Sequence, residues 1–483
     1  MSTIIARNAE IERLERVFHS KKAEFLAIYG RRRIGKTYLI REYFKDKGLY
    51  FEITGTQNAS MSEQLKKYQR EFTKLFPEQI ERPVIKDWDE ALSRLVSEVE
   101  RITTQQKVII FLDELPWLAT PRSGLLKEID YYWNRHFSQI SNVIFIICGS
   151  AAAWMIKNIV RNRDGLYGRL SEIIHLQPFN LNQIEEYLRY KNIILDRKQI
   201  IALYMVMGGV AKYYDFIPRG MSATQIIDKL FFSSNGALLT EFVDLYLSLF
   251  NHAENHIKVV KALANKRYGM LRSELIKKMN MSSGGNLSAI IEELEASSFI
   301  LTFKKFGQKN KQKCIRLLDE YSYFYLEFVD AIKADILHGF DQQSWQKIQS
   351  TARWRAWSGY AFENICLKHI GNIKQALGLR GVSTTQSQWR YVSDNAKDKG
   401  TEIDLLIDRA DNCINICEIK FTDGEYVITK DYAHTLEQKR QIFKQKTNTK
   451  KTIFITMITP FGIKKNNHSL NIVDNEVKLD DLF

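Results

Sequence analysis

The stretch AIYGRRRIGKTYLI, residues 27–40, sets a glycine-rich turn between an apolar run and a helical pattern. The spacing Gly30-x4-Gly35-Lys36-Thr37 is typical of a loop that binds phosphate, because the glycines let backbone N–H groups turn inward around phosphate oxygens. The N-terminus of the following helix adds a partial positive charge. We therefore predict an α/β domain with a parallel sheet, in which this loop holds ATP, Lys36 contacts its β- and γ-phosphates and Thr37 binds Mg²⁺.

Two further apolar runs end in polar residues that suit the same chemistry. Residues 107–118, KVIIFLDELPWL, predict a strand that ends at Asp113 and Glu114. Asp113 is suited to the Mg²⁺ shell and Glu114 to orienting the attacking water. The alternative, a polar strand exit or an N-cap, is disfavoured by the phosphate loop upstream. A third strand, over residues 143–148, precedes Ser150, which either senses the γ-phosphate or caps the next helix.

Several basic residues are candidates for a contact with the charge that develops during phosphoryl transfer. Arg169 follows a glycine just before another apolar run, and an arginine there can act in cis or across a subunit boundary. Arg122, Arg161 and Arg163 are alternatives for that role. Lys212 is either a second nucleotide sensor or a solvated lysine.

The segments YGRRRIGKTYLI, FLDELPWL, ICGSAAAWM, LYGRL, LQPFN and GGVAKYY occur in this order. Together they resemble the prokaryotic archaeal-type ATPases, AAA+-related P-loop proteins near the STAND signalling NTPases. The resemblance covers residues 1–215 and implies an ATPase domain with a helical lid. It also implies that Arg33 contacts phosphate, whereas Arg31 and Arg32 face solvent or a neighbouring subunit. Ala6 departs from the glycine that related chains tend to have near the start.

Residues 216–335 carry the pattern of a helical and winged-helix domain. Helix, turn and helix are predicted around LRSELIKKMNM, and a helix over 286–296 is followed by two strands, FILTFKKF and KCIRLL. The run 303–316 has no acidic residue and suits phosphate contacts. Its basic residues are Lys304, Lys305, Lys309, Lys311, Lys313 and Arg316. The helix over 286–296 is acidic and suits DNA poorly, and the alternative for the whole domain is a packing or dimerisation module.

The last third is dominated by residues 401–421, TEIDLLIDRADNCINICEIKF. Two apolar strands flank a turn, with Asp404 in the first strand and Glu418 in the second. Lys420 is two residues beyond Glu418 and shares its face of the strand. Glu363 lies on a predicted helix upstream. The simplest structural explanation is a Glu–Lys pair at the end of a hairpin.

This ordered set also resembles the PD-(D/E)xK nuclease superfamily, which implies an α/β restriction-endonuclease-like fold for residues 336–483. The resemblance implies that Asp404 and Glu418 bind Mg²⁺ or Mn²⁺, that Lys420 orients or deprotonates the attacking water, and that Glu363 extends the metal site. Basic residues of the next helix, including Lys439 and Lys446, suit a nucleic-acid backbone.

Charge and composition restrict the partners. The 483 residues carry a formal net charge of +14, which favours a polyanion, and nucleic acid, DNA above all, is the expected one. No apolar run approaches the roughly 20 residues of a membrane span, and the charged N-terminus has no signal-peptide core, so we expect a cytoplasmic protein without a membrane partner. The 5 cysteines lack the spacing of a zinc site and are expected to be reduced thiols.

The sequence thus favours a homo-oligomeric ATPase whose nucleotide state gates a Mg²⁺-dependent DNA nuclease, in genome maintenance or anti-phage defence. An alternative is a signalling or scaffold ATPase that binds nucleic acid or a protein partner without cutting. A further alternative is a motor that moves along DNA with continuous turnover.

Overall fold

The computed structural model describes residues 4–77, 83–102, 105–162, 165–166, 168–250, 252–266, 268–279, 285–307, 313–339, 345–392 and 400–483.

The N-terminal part is a parallel sheet covered on both faces. Strands β1, β3 and β4 are apolar and fully buried, as a parallel sheet between two helical layers requires. Its elements are α1 (Asn8–His19), β1 (Glu24–Tyr29), α2 (Lys36–Phe44), β2 (Leu49–Thr54), α3 (Met61–Leu75), α4 (Trp88–Val99), β3 (Val108–Asp113), α5 (Leu115–Leu118), α6 (Leu125–Arg135), β4 (Val143–Gly149), α7 (Ala152–Met155) and β5 (Glu172–His175). The strand order is β2-β3-β4-β1-β5 and every pairing is parallel, which confirms the predicted α/β class.

The middle part is mostly helical and contains a small antiparallel sheet of order β6-β8-β7. Its elements are α8 (Leu181–Tyr190), α9 (Arg197–Met207), α10 (Ala211–Tyr214), α11 (Ala223–Phe231), α12 (Glu241–Leu247), α13 (Ala253–Ala264), β6 (Met270–Leu271), α14 (Arg272–Met279), α15 (Gly285–Ala296), β7 (Ile300–Lys304), β8 (Lys313–Leu317), α16 (Glu320–Phe328) and α17 (Lys333–His338). From α13 to β8 the order is helix, strand, helix, helix, strand, strand. Lys309 and Lys311 lie outside the described residues.

The C-terminal part is a mixed sheet between two helical layers. Its elements are α18 (Trp345–Gln349), α19 (Ala352–Lys368), α20 (Ile370–Ala376), β9 (Thr384–Tyr391), β10 (Thr401–Arg409), β11 (Cys413–Ile419), α21 (Lys430–Thr447), β12 (Thr452–Ile458), α22 (Asn467–Ile472) and β13 (Asn475–Val477). The strand order is β13-β12-β11-β10-β9. Strands β9 to β11 pair antiparallel, whereas α21 crosses over to β12, which pairs parallel to β11.

The largest apolar core contains Ala6 and residues from Phe179 to Leu482, and it joins the helices after β5 to the C-terminal sheet. It crosses both predicted domain boundaries, near residues 215 and 335, and the division into three domains stays a prediction. Two smaller cores cover the faces of the N-terminal sheet, and another lies between the C-terminal sheet and α21.

Within the described ranges, no helix has both the length and the apolar composition of a membrane-spanning helix. All five cysteines are described and are free thiols, as the sequence predicts.

Candidate active sites

The phosphate loop connects β1 to α2 and is shaped by two glycines. Gly30 has φ +148°, and a Cβ there would lie 2.3 Å from the carbonyl oxygen of Leu176. Gly35 has φ +97° and precedes the first residue of α2. Lys36 Nζ donates to the carbonyl oxygens of Gly30 and Arg31, each at 2.9 Å. The loop therefore curls around the ammonium group, and only glycine accommodates the approach at Gly30.

The residues predicted for magnesium and water converge beside this loop. Thr37 Oγ1 donates to Asp113 Oδ2 at 2.9 Å. The backbone N–H and the hydroxyl of Ser150 both donate to Glu114 Oε2, at 3.0 and 2.8 Å. Ala151, not Ser150, is the N-cap of α7, so the capping alternative for Ser150 is wrong. These side chains lie together because parallel strands end at one edge of a sheet.

Glu114 is the first residue after β3 and has a left-handed backbone, with φ 48° and ψ 50°. Such a conformation costs a non-glycine residue about 1–3 kcal/mol and is enriched at functional sites. The turn places the Glu114 carboxylate at Ser150, which lies after the next strand of the sheet.

The N-terminal segment also lies against the phosphate loop. Ala6, the departure from glycine, nevertheless has φ 58°. Arg7 follows it and donates from Nη2 to the carbonyl oxygen of Ile34 at 3.1 Å. Burial lowers the pKa of Arg7 to about 10, against the opposing attraction of Glu10.

Arg31 differs from its prediction, because it is 4% exposed rather than solvent-facing. Its guanidinium forms an ion pair with Asp319, which is 1% exposed. Burial alone would lower the pKa of Arg31, but the charge of Asp319 outweighs it and raises the pKa. Asp319 Oδ2 also caps α16 by accepting from the backbone N–H of Ser322 at 2.8 Å. Arg32 lies over the ring of Trp117, 5.6 Å from the ring centroid.

Arg33, which is predicted to contact phosphate, has its guanidinium in an ion pair with Glu241 of α12. The Arg33 carbonyl oxygen accepts from the backbone N–H of Lys212 at 3.3 Å, so the start of α10 lies against the phosphate loop. Lys212 Nζ lies 3.5 Å from Asp215 and the side chain is half-exposed. Lys212 is therefore compatible with both predicted roles, a second nucleotide sensor and a solvated lysine.

Arg169 lies at the wrong edge of the sheet for a role in its own nucleotide site. The next strand, β5, runs parallel to β1, and the N–H of Ser171 donates to the carbonyl oxygen of Phe25 near the start of β1. The phosphate loop follows the opposite end of β1. Arg169 Nε instead lies 3.9 Å from Asp130. The alternative in cis is therefore wrong, and only a contact across a subunit boundary remains.

The other candidate arginines differ in position. Arg161 is within electrostatic range of the Tyr29 hydroxyl, at the loop end of β1; burial raises the pKa of Tyr29 and Arg161 opposes that shift. Arg122 is exposed in the loop after α5, and Arg163 lies outside the described residues.

In the C-terminal sheet, three of the predicted residues come together. The pairing of Leu405 with Cys417 places Asp404 directly beside Glu418 on the neighbouring strand. Asp404 Oδ2 accepts from the backbone N–H of Ile419 at 3.0 Å. Lys420 Nζ lies 3.6 Å from Glu418 Oε2. Burial would lower the pKa of Lys420, but Glu418 and Asp404 outweigh it and raise the pKa.

Two residues of α21 complete this site and were not predicted as part of it. Lys439 Nζ lies 2.6 Å from Glu418 Oε1, and the Tyr432 hydroxyl donates to Glu418 Oε2 at 3.2 Å. Glu418 is fully buried, and burial and the neighbouring Asp404 raise its pKa while the lysines oppose them. Helical spacing in the sequence could have indicated the position of Lys439. This residue falls on the packing face of α21 that Leu436 and Phe443 define, and so it points towards the sheet.

Glu363, predicted to extend the metal site, lies on α19 where its charge acts on Lys420, and its role in metal binding stays a prediction. Its carboxylate lies 3.4 Å from Arg316 Nη2, and both side chains are buried. Arg316, predicted to face phosphate, is thus an internal cation. Among the residues that the structure describes, no three His, Cys, Asp or Glu side chains converge as a metal-binding group.

The acidic helix α15 lies against α7 of the N-terminal part. Glu292, Glu293 and Glu295 line a cavity of about 920 Å³ together with Lys157 and Arg161. One side of this helix therefore packs against the N-terminal part, while Glu292 and Glu295 are exposed.

Two protein families match separate parts of the chain. Residues 5–214 match a family described as an ATPase domain predominantly from Archaea. Residues 325–436 match a family described as archaeal and bacterial proteins of unknown function.

An uncharacterized protein of Methanocaldococcus jannaschii is 22% identical over 425 residues, which are 87% of this chain and 88% of that protein. An uncharacterized ATP-binding protein of the same organism is 44% identical over 43 residues, 9% of this chain and 73% of that protein.

Solved structures with a similar arrangement include a Walker-type ATPase of Pyrococcus abyssi, with 17% identity and a TM-score of 0.47, covering 67% of this chain and 96% of that one. The ORC2 protein of Aeropyrum pernix, in ADPNP and ADP complexes, has 13% identity and a TM-score of 0.43, covering 70% and 95%.

Proposed function

Because residues 5–214 are an ATPase domain of this archaeal kind, we propose that ATP binding and hydrolysis here gate a Mg²⁺-dependent DNA nuclease in the C-terminal part. The observation that carries the proposal is a line of buried ion pairs that joins the phosphate loop to the helix beside Asp404 and Glu418.

The nucleotide site has the groups that ATP hydrolysis needs. Lys36 would exchange its loop carbonyls for the β- and γ-phosphates, and Thr37 and Asp113, already 2.9 Å apart, fit a shared Mg²⁺. Glu114 would orient the attacking water, with Ser150 holding its carboxylate. An arginine from a neighbouring copy, Arg169 among the candidates, would stabilise the developing charge, which makes a homo-oligomer the expected active state.

The line of ion pairs begins at α16. Asp319, the residue before α16, binds Arg31 of the phosphate loop, and Glu320 binds Lys368 of α19 at 2.6 Å. Glu320 also lies against Gly208 of the GGVAKYY segment, where a Cβ would be 2.5 Å from its carboxylate. Any shift of Arg31 on phosphate binding is thereby transmitted to α19, because a buried charge cannot leave its partner without a penalty of several kcal/mol.

Helix α19 is the element that reaches the second site. It carries Glu363, whose charge acts on Lys420, and it contacts β11, the strand of Glu418. Asp404 and Glu418 fit a divalent ion, because two adjacent buried carboxylates repel each other and raise the pKa of Glu418 unless a cation lies between them. When bound, such an ion would polarise a phosphate and activate a water; Lys420 would position that water.

The arrangement of elements supports the nuclease-like and winged-helix parts of this proposal. The helix, strand, helix, helix, strand, strand order of α13 to β8 is that expected of a winged helix. The mixed sheet with Asp404 and Glu418 on adjacent central strands is consistent with a restriction-endonuclease-like domain.

A second candidate is an ATPase that binds nucleic acid or protein without cutting it. The observation in its favour is that both oxygens of Glu418 are occupied, Oε1 by Lys439 and Oε2 by Tyr432. A divalent ion must displace Lys439 before Glu418 can serve as its ligand.

The test is cleavage of plasmid DNA with Mg²⁺ or Mn²⁺, with and without ATP. We expect the wild type to cut, Asp404→Ala to be inactive and Lys36→Ala to lose its dependence on ATP. Asp408→Ala is the matched control, since Asp408 lies on the same strand but pairs with Lys451. If no variant cuts while ATP is still hydrolysed, the second candidate replaces the first.

A further inference from the structure

We propose that Arg32 is a catalytic residue of ATP hydrolysis, which contacts the γ-phosphate of the nucleotide on its own chain and stabilises the charge that develops there. In this structure the ring of Trp117 holds its guanidinium. The proposal rests on the ATP hydrolysis of the proposed function and not on the nuclease. It goes beyond that function because it assigns an arginine that acts in cis, whereas Arg169 can act only across a subunit boundary.

The three arginines of the phosphate loop differ in what holds them. Arg31 forms an ion pair with Asp319, which is 1% exposed. Arg33 forms an ion pair with Glu241, which is 5% exposed. Among the residues that the structure describes, Arg32 has no carboxylate within ion-pair distance, and its guanidinium lies over an aromatic ring instead. A buried ion pair costs far more to separate than a partly exposed cation–π contact, so Arg32 moves to a phosphate at the lowest cost.

The loop brings Arg32 within reach of the phosphates. Lys36 Nζ donates to the carbonyl oxygen of Arg31 at 2.9 Å, and ATP phosphates would take the place of that oxygen. The three bonds from this oxygen to the Cα of Arg32 add at most about 4 Å, so that Cα lies within about 7 Å of the ammonium group. An extended arginine side chain has a similar length. Its guanidinium therefore reaches a γ-phosphate that Lys36 holds.

Trp117 places the guanidinium beside the residues that are proposed to orient the attacking water. The guanidinium lies 5.6 Å from the centroid of the ring. The backbone N–H of Trp117 donates to the carbonyl oxygen of Glu114 at 2.9 Å, which fixes the ring relative to that residue. Trp117 also lines a cavity of about 440 Å³ together with residues 151–154, which directly follow Ser150. Arg32 is therefore on the side of the loop where hydrolysis would occur.

The step that Arg32 assists is transfer of the γ-phosphoryl group to water. The oxygen of the water forms a bond to the γ-phosphorus, and the bond from this phosphorus to the bridging oxygen breaks. The electron pair of that bond goes to ADP, and the proton of the water is released with inorganic phosphate. Negative charge grows on the bridging and γ-phosphate oxygens, and the planar fork of a guanidinium donates to two such oxygens at once. An arginine that binds this charge raises kcat more than it raises the affinity for ATP.

The first test measures hydrolysis and binding of ATP with Mg²⁺ by the full-length wild type, R32A, R32K and R70A. We expect R32A to lower kcat at least about 10³-fold, with the dissociation constant for ATP within about threefold of the wild type. R32K should recover little of this loss, because an ammonium group lacks the planar fork. The matched control is R70A, since Arg70 is an exposed arginine of α3 that pairs with Glu71, and it should hydrolyse ATP like the wild type.

Trp117→Leu separates the chemistry of the guanidinium from its packing. This variant removes the ring and leaves Arg32, so its kcat should stay within about tenfold of the wild type. A loss as large as that of R32A would assign the effect to packing at Trp117 and overturn the proposal. Hydrolysis by R32A within about threefold of the wild type also overturns it, as does a loss that affects only the affinity for ATP.

A mixture of R32A and K36A distinguishes action in cis from action across a subunit boundary. A K36A copy still carries Arg32 but does not hydrolyse its own ATP. We expect no recovery of hydrolysis in the mixture, whereas recovery would place Arg32 at the nucleotide of a neighbouring copy and contradict the proposal. If the wild type itself does not hydrolyse ATP, the proposed function fails together with this inference; if only R32A is unaffected, the inference fails alone.

Discussion

The buried pair of Arg31 and Asp319 is the residue-scale feature with the largest expected effect on stability. Asp319→Ala leaves a guanidinium unpaired at a site that is 4% exposed. We expect a loss of about 3–5 kcal/mol in the free energy of unfolding, measured by urea denaturation. The double variant R31M/D319L, which removes both charges, should recover most of that loss, and a double variant as unstable as the single one would contradict the assignment.

Glu114 is expected to act in hydrolysis and not in binding. Glu114→Gln keeps the shape of the side chain but removes the group that orients water, so ATP turnover should fall about 10²–10⁴-fold with the dissociation constant for ATP unchanged. Ser150→Ala is the matched comparison, because it removes only the contact that holds Glu114. Turnover by E114Q within threefold of the wild type is the outcome that excludes this role.

At this scale the sequence predicted which residues lie together beside the phosphate loop, but not the partners of the loop arginines. Lys36, Thr37, Asp113, Glu114 and Ser150 each lie at or just after the end of a buried parallel strand, so topology alone brings them to one edge. The fate of Arg31 depends on a carboxylate 288 residues later in the chain. No local pattern contains that pairing.

At the scale of elements, His369 joins the end of α19 to the start of α8. Its Nε2 accepts from the backbone N–H of Leu181 at 3.1 Å, and its Nδ1 lies 2.8 Å from the carbonyl oxygen of Ile365. Both contacts suit the neutral ring protonated on Nδ1. Burial lowers the pKa of His369 from 6.5 to about 4.

The resulting pH dependence has a definite sign. The unfolded chain takes up a proton on His369 below its ordinary pKa while the folded chain does not, so stability is full above pH 6.5 and falls between pH 6.5 and 4. The loss reaches about 3 kcal/mol at the lower limit. Urea denaturation between pH 6.5 and 4 should show this fall in the free energy of unfolding in the wild type and not in His369→Gln. Identical pH profiles for the two proteins would refute the assignment of the fall to His369.

Helix α21 places the ammonium group of Lys439 beside Glu418, where it supplies the positive charge that a metal ion would otherwise provide. Lys439→Met should therefore lower the melting temperature in EDTA, because Glu418 loses the ammonium at 2.6 Å. Added Mn²⁺ should restore stability in this variant by about 2.7 kcal/mol at one hundred times its dissociation constant. Lys444→Met, an exposed position on the same helix, is the control. Equal Mn²⁺ responses in both variants would exclude displacement of Lys439.

The sequence predicted several elements of the middle and C-terminal parts but not how they join. Periodicity placed α15, β10 and β11 because each has a local apolar pattern. The bridge between Lys305 and Gln388 connects two segments that are 83 residues apart in the sequence. No pattern in either segment indicates that it pairs with the other.

At the scale of the whole molecule, the largest core crosses the predicted domain boundaries. Trp354 and Trp357 of α19 pack against Phe328 of α16, with ring centroids 6.0 and 5.4 Å apart. A fragment of residues 336–483 would expose this aromatic surface to water. We expect it to show no cooperative thermal transition by circular dichroism, whereas the full chain does. A sharp transition in the fragment would establish that it is an independent domain.

The middle part contacts the phosphate loop on one side and strand β9 on the other. These two contacts differ in strength, and this difference decides where the structure can deform. At the phosphate loop the contact is the buried ion pair of Arg31 and Asp319, which is rigid. At β9 the described contacts are the Lys305–Gln388 bridge, the backbone hydrogen bond and ring contact of Phe306, and the Arg390 guanidinium over the ring of Tyr268. Because the contacts at β9 include no buried ion pair, a displacement of the phosphate loop would separate them at a lower cost than it would separate Arg31 from Asp319. The distance between the β7–β8 hairpin and strand β9 of the C-terminal sheet would then change with each nucleotide cycle.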